Sequence, residues 1–374
     1  MQGAVKNTKS REISEKLRME ILSGKFDDTR KLPSEHQLMQ RFSVARETVR
    51  CALKELLEKK LVDRRPGYGT FLVERAEISA AQRFGVIMPD AYYPFYSRIC
   101  RGIELTAQKH GWSILSASLG SGSMKDRAIR AVDFAEVCKR ERVSGVFFQP
   151  LQFLKDGEKF NRAILKVFRQ SKIPVVLLDS DFVVPPNRSE YDLVGVDNTR
   201  IGYSLARHMI EAGAKRLIYF SNPLPAPTSL KRGTGVGIAV AEANLRWNKE
   251  HVFFADPTDV RAATRLFASP RRPDAIVAVN DYIASILLKT LKAIGKRVPE
   301  DVLLAGVNGD SLSEESVPPI TTAVQPCERI GEAAVSMMLQ RIADPDLPPR
   351  EVYLSATLVE RESTRKGKVE RNES

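Results

Sequence analysis

Between residues 10 and 58 the apolar positions recur at helical spacing in three separate stretches. SREISEKLRMEILSG (10–24) places Ile13, Leu17, Ile21 and Leu22 on one face, with Gly24 as a stop. After Leu32-Pro33, Ser34-Glu35-His36-Gln37 is an S-x-x-Q capping box that opens a short second helix with Leu38 and Phe42 inward. Ser43-Val44 makes a turn. ARETVRCALKELLE (45–58) then predicts a third helix, with Val49, Ala52, Leu53 and Leu56 as its apolar stripe and Arg46 and Arg50 on the opposite face. LVDRR and TFLVE read as two short strands around Pro66-Gly67-Tyr68-Gly69, a hairpin whose turn needs the φ freedom of glycine.

From residue 84 onward the pattern changes to short apolar runs separated by helix-like stretches. The strand candidates are 84–88, 112–118, 145–149, 174–179, 193–197, 216–220, 275–279 and 302–307; the stretches 125–141, 198–212, 258–268 and 282–294 read as helices. Repeated βα alternation predicts parallel sheets covered by helices on both faces, and the series is too long for one sheet, so two α/β lobes are expected. ERAEISAAQR (74–83) lacks periodicity and reads as a linker, and Pro-rich 221–231 as a mobile loop at a cleft edge.

Charge sharpens the division. Residues 1–75 hold 17 Lys and Arg against 11 Asp and Glu, so half of the chain's net charge of +12 sits in its first fifth, which points to a polyanionic partner. No apolar run approaches the roughly 18–20 residues of a membrane span, and the start has no apolar core of a secretion signal. The four cysteines are far apart with no CxxC, and the four histidines are scattered, so no metal set or disulfide framework is expected and a reducing cytoplasm fits. No phosphate-binding GxGxxG follows a strand. RRPGYGTF (64–71) is therefore read as a turn approaching nucleic-acid phosphates, with charge from Arg64 and Arg65 and Tyr68 at its tip.

Three helices, a Gly-rich hairpin and two arginines at the start of the third helix describe a winged helix-turn-helix whose third helix enters the major groove of DNA. The run KLPSEHQLMQRFSVARETVRCALKELLEKKLVDRRPGYGTFLVER resembles the DNA-binding domain of the GntR family of bacterial regulators. That resemblance implies groove and phosphate contacts by Arg46, Thr48 and Arg50, and backbone contacts by Ser34, His36, Gly67 and Tyr68. Ala45 stands where the family has serine, and Lys60 where it has glycine.

In open α/β sheets ligands sit at the carboxyl ends of the strands. There the sequence places Asp90, Gln149, Asp179, Asn280, Asp281 and Asn308, with Tyr92, Tyr93, Phe95 and Tyr96 just beyond Asp90. Carboxylates and amides beside aromatic rings suit a polyhydroxylated ligand such as a sugar, although Asp and Asn at such positions also serve as helix caps. The segments FGVIMPDAYYPFYSRICRGIELTAQKHGWSIL, IPVVLLDSD, VGVDNTRIGYSLARHMIEAGAKRLIYFS and AIVAVNDYIASILLKTLKAIGKRVPEDVLLAGVNGDS resemble, in order and spacing, the LacI/GalR regulators and through them the periplasmic sugar-binding proteins. The resemblance implies an effector cleft lined by Asp179, Arg232, Asn280 or Asp281, Asn308 and aromatics of the 92–96 loop. It also places GTGVG (233–237) at the start of a packed helix. Asn308-Gly309 replaces the family's acidic pair.

The expected layout is a winged helix-turn-helix over 1–75, a linker over 76–83, an effector-binding and dimerising domain over 84–363 and a polar tail over 364–374. Its first lobe is expected at about 84–196 and 322–345, its second at about 197–321 and 346–363. The expected function is that of a cytoplasmic transcription regulator, a repressor by family resemblance, like the arabinose-type sugar-responsive regulators. It would bind operator DNA as a homodimer and sense a sugar, with no cofactor. The alternatives are a nucleotide-dependent α/β enzyme, for which no catalytic motif appears, and a solute-binding protein with a basic extension.

Overall fold

The computed structural model describes residues 2–22, 25–26, 29–58, 61–65, 68–72, 82–88, 93–117, 119, 122–270 and 272–365. Gly24, Lys60, Pro66, Gly67, Asp90, Tyr92, the Leu22 side chain, nearly all of the expected linker and residues 366–374 of the tail lie outside this set.

The N-terminal unit consists of α1 (Gln2–Leu22), α2 (Glu35–Phe42), α3 (Arg46–Glu58) and the antiparallel pair β1 (Val62–Arg65) and β2 (Gly69–Leu72). Its core is the apolar stripes met against one another: Ile13, Leu17 and Ile21 of α1, Leu38 of α2, and Val49, Ala52, Leu53 and Leu56 of α3. The capping box forms as the sequence requires, with Ser34 Oγ accepting from Gln37 N at 3.3 Å and Gln37 Oε1 accepting from Ser34 N at 2.8 Å. Ser43 ends α2 in the left-handed conformation and turns the chain into α3.

The remainder forms two six-stranded sheets. In the first, β3 (Arg83–Ile87), β4 (Ser113–Ser116), β5 (Gly145–Phe148), β6 (Val175–Leu178), β7 (Asp192–Val196) and β13 (Glu351–Leu354) lie in the order β13-β7-β6-β5-β3-β4, all parallel. In the second, β8 (Leu217–Ser221), β9 (Val252–Phe254), β10 (Ala275–Ala278), β11 (Leu303–Asn308), β12 (Thr321–Val324) and β14 (Thr357–Val359) lie in the order β14-β12-β11-β10-β8-β9, with only β14 antiparallel. The central strands β5, β6, β10 and β11 are buried along their whole length, which is why they read as unbroken apolar runs.

Helices α4 (Pro94–Lys109), α5 (Met124–Arg140), α6 (Gly157–Gln170) and α12 (Cys327–Ala343) accompany the first sheet, and α7 (Asn198–Glu211), α8 (Pro227–Glu242), α9 (Val260–Ala268), α10 (Asp281–Ala293) and α11 (Ser311–Glu315) the second. The chain crosses between lobes three times, after β7, after β12 and between β13 and β14. This corrects the expected division: β12 belongs to the second lobe and β13 to the first, because strand pairing across the sheets decides membership. GTGVG lies inside α8 and does not open it, and residues 227–231 of the expected loop are already helical.

Candidate functional site

On the N-terminal unit the exposed basic side chains converge on one carboxylate. Arg46, at the start of α3, reaches Glu35 Oε2 with Nε at 2.9 Å, and Arg64 of β1 reaches Glu35 Oε1 with Nη2 at 2.6 Å. The hydrogen bond from Arg46, with the charge of Arg64, holds the Glu35 carboxyl below the ordinary glutamate range. Arg46 is nonetheless 70% exposed, and Arg50 lies open one turn further along. Helix and hairpin thus present cations on one side, tied at a shared anchor.

Tyr68 projects from the hairpin tip at 75% exposure, with its N–H donating to Arg65 O at 3.0 Å. Gly69 follows with φ +115°, a conformation that favours glycine. Arg65 lies over the Phe71 ring at 4.9 Å, which stiffens its stem against the strand. Ser34 and His36 are exposed at the start of α2, His36 Nε2 lying 3.1 Å from Gln40 Nε2. Thr48 departs from expectation. It is buried beside Val49, because its position on α3 points toward the helical core.

The second site lies at the carboxyl ends of the two sheets. Asp179 follows β6 with φ +65°, its side chain 5% exposed, and burial raises its carboxyl to about 6 against the lowering effect of Arg232. Arg232 projects from α8, where Nε donates to Asn198 Oδ1 at 2.7 Å and Nη1 to the carbonyl of Val279. Its guanidinium therefore ties the first turn of α7 to the end of β10. Asp179, Asn198, Thr228, Lys231 and Tyr353 line a recess where the lobes meet. On the other side, Gln149 after β5 donates through Nε2 to the Tyr96 hydroxyl at 3.3 Å, and the Tyr93 ring stands 6.0 Å from Tyr282 of α10. Aromatic residues of the first lobe thus reach the second.

Asn308 ends β11 at φ +119°, with Nδ2 donating to Asp310 Oδ2 at 3.3 Å and Oδ1 accepting from Gln325 Nε2 at 2.9 Å. Asn280 caps α10, its Oδ1 accepting from Ile283 N at 2.8 Å. Two expected residues face elsewhere. Asp281 is fully buried: Oδ1 accepts from Thr322 Oγ1 at 2.7 Å and Oδ2 from Asp310 N at 2.9 Å, so it clamps the loop after β11. Phe95 belongs to the apolar core, its ring 4.9 Å from that of Tyr96. The site also holds residues not expected from sequence: Asn198, Asp310 and Gln325. Gln325 follows β12, whose sequence TTAV is too short to mark a strand, and Asp310 lies two residues beyond the end of β11.

Residues 9–72 match the family of bacterial regulatory proteins named gntR, and residues 206–364 match the periplasmic binding protein-like domain. The arabinose metabolism transcriptional repressor of Halalkalibacterium halodurans is 26% identical over 97% of this chain and 98% of its own length. The HTH-type transcriptional repressor PurR of Mannheimia succiniciproducens is 26% identical over 78% of this chain and 83% of its own. A solved structure titled transcriptional regulator CelR-cellobiose complex superposes with a TM-score of 0.63 at 23% identity, covering 85% of this chain and 90% of that one. The chain joins a gntR-type DNA-binding domain to a periplasmic-binding-protein-like effector domain. It is a DNA-binding transcription regulator with a small-molecule effector, and not an enzyme.

Proposed function

We propose that this regulator is a cytoplasmic repressor that binds operator DNA as a homodimer and senses a sugar between its two lobes. The observation that carries the reading is the lining of the cleft: carboxylates and amides from both lobes, one arginine and a tyrosine cluster, at the ends of parallel strands where ligands bind. Two names support it, an arabinose metabolism repressor among the relatives and a structural neighbour in complex with cellobiose, while the PurR repressors name no sugar.

Arg46 and Arg50 are the residues we assign to base and phosphate contact in the major groove, with Arg64, Arg65 and Tyr68 along the backbone. Exposed apolar residues on the effector domain, Leu105 of α4, Leu312 of α11 and Val317 beyond it, support pairing through that domain. Pairing would set two recognition helices on a palindromic site, and the effector would act through its different affinities for two lobe arrangements. Among the described residues no helix is long and apolar enough to cross a membrane.

The test is a gel shift on the DNA upstream of the protein's own gene, with and without a panel of sugars and purines. Replacing Arg46 and Arg50 by alanine is expected to abolish the specific shift, each costing about 1–3 kcal/mol where it reads a base. A sugar is expected to change the shift of the unaltered chain. Retained specific binding by the double variant refutes the recognition-helix assignment, and a response to purines alone refutes the sugar.

A further inference from the structure

The wing has a third edge that the hairpin motif does not show. Thr29 Oγ1 donates to the Lys31 carbonyl at 3.2 Å, Arg30 turns the chain at φ +49°, and residues 30–32 run antiparallel beside β2. Leu32 N donates to Thr70 O at 2.9 Å and Leu72 N to Arg30 O at 3.0 Å. Leu32 is buried in the core of the N-terminal unit, so by strand alternation Lys31 faces outward, and it is exposed.

Lys31 pairs directly with Phe71 of β2, and residues opposite one another share a face of the sheet. Its Nζ stands 5.4 Å from the centroid of the Phe71 ring, over which Arg65 of β1 also lies, at 4.9 Å. The Lys31 stem runs toward the hairpin tip: a Cβ on Gly69 would lie 2.9 Å from Lys31 Cε and 3.6 Å from Nζ. The missing side chain at 69 therefore opens the track that carries this amine to the residue beside Tyr68. One ring thus gathers a cation from each flanking strand near the end of the wing, and attraction to its face holds them there. Among the described residues neither cation has a carboxylate partner, although Asp63 lies opposite Phe71 on the same face. Arg46 and Arg64 differ, both being tied to Glu35.

We infer that Lys31 is a DNA-contacting residue, which with Arg65 clasps the phosphate backbone from the wing, and that Phe71 is the platform that positions both. The inference rests on the reading that the wing tip lies along the DNA backbone, and adds to it a residue from outside the hairpin. Two cations held at one ring repel each other; a phosphate between them offsets that repulsion and accepts charge-assisted hydrogen bonds from both. Contact with phosphate carries no base information, so Lys31 adds affinity on every duplex alike.

The experiment uses the full chain, a duplex from upstream of its own gene and a scrambled duplex of equal length, titrated by fluorescence anisotropy at several salt concentrations. Lys31→Met keeps the stem and removes the charge. It is expected to weaken binding to both duplexes by the same factor, at least threefold, and to lower the slope of log affinity against log salt by about 0.9, the share of one phosphate. Lys31→Arg is expected to keep the parent slope. Phe71→Leu leaves an apolar side chain on the face, and in that background Lys31→Met is expected to cost less than half as much in log affinity. An unchanged slope in Lys31→Met overturns the contact, and a loss of full size in the Phe71→Leu background overturns the platform. Arg65→Met separates the two readings: where it lowers the slope and Lys31→Met does not, the wing still meets DNA, and where neither does, both readings fall. Lysine acetylation read by mass spectrometry needs no variant. DNA is expected to shield Lys31 at least fivefold while exposed Lys139 of α5 stays reactive, and equal labelling of Lys31 with and without DNA overturns the inference.

Discussion

Glu35 uses one carboxylate to fix two arginines that come from different elements, Arg46 of α3 and Arg64 of β1. Such a bridge sets the angle between recognition helix and wing before DNA arrives, which lowers the entropy lost on binding. It also places a negative charge near the phosphates. Glu35→Gln removes both effects, so its signature is distinctive. Affinity for unrelated DNA is expected to hold or rise, affinity for the operator to fall, and the ratio of the two to drop by about tenfold, near 1.4 kcal/mol. Fluorescence anisotropy on operator and scrambled duplexes at one salt concentration measures it; equal changes on both duplexes would show that Glu35 acts through charge alone. Glu35 is part of the capping sequence and was legible there only as a helix start. Its second role needs the wing folded back onto α2, a contact 29 residues away in sequence.

Helices α7 and α8 approach so closely that glycine is required at their contact. A Cβ at Gly202 would lie 2.0 Å from the carbonyl oxygen of Arg232, and one at Gly235 1.9 Å from that of Thr199. The first of these contacts sits on the backbone of the residue whose guanidinium braces the cleft. Gly202→Ala must push α8 outward, and is expected to destabilise the effector domain by about 1–3 kcal/mol and to weaken effector binding together with it. Ile238→Ala, on the exposed side of α8, is the control and is expected to stay within about 0.5 kcal/mol of the parent. Thermal melts with and without ligand read both quantities; an alanine at 202 that leaves both unaltered would contradict the close packing. At this scale the sequence was readable where burial is complete on both faces of a strand, as for GVFF and VVLL. It was silent at β9, β12, β13 and β14, segments of three or four residues, several of them at sheet edges, whose apolar runs are too short to mark a strand. Three lobe crossings follow from how those strands pair, and pairing between distant segments leaves no periodic trace. That is why Asp179, Gln149 and Asn308 were placed at the cleft from sequence, while Gln325, at the end of an unread strand, was not.

The reading head and the effector domain meet at a second place besides the linker. Arg18 of α1 is buried, with Nε 3.1 Å from Glu15 Oε1 and Nη1 3.7 Å from Asp344 Oδ2, just past the end of α12. Asp344 opens the 344–350 loop, which Arg341 holds by donating to the carbonyls of Pro345, Leu347 and Pro348. The same guanidinium grips Asp192 at 2.9 Å, and the Arg350 N–H donates to that carboxylate at 2.8 Å. Asp192 is the first residue of β7. At the far end of that strand the chain enters α7, where Asn198 accepts from Arg232 in the cleft wall. A single five-residue strand therefore spans from the loop that receives the head to the residues that line the effector site. A ligand that favours one lobe arrangement bears on both ends of this strand, and coupling between two sites is worth about 1–3 kcal/mol in typical regulators. Asp344→Arg puts a cation against buried Arg18 and is expected to undock the head, so that the effector's influence on operator affinity falls at least fivefold while its binding to the cleft is unchanged. The reversed pair, Arg18→Glu with Asp344→Arg, made with Glu15→Gln so that the new glutamate meets no like charge, restores the attraction and is expected to recover at least half of the lost response. Operator affinity measured with and without saturating effector in the parent, the single variant and the reversed pair decides the matter, and a single variant that keeps the full response would confine communication between the domains to the linker.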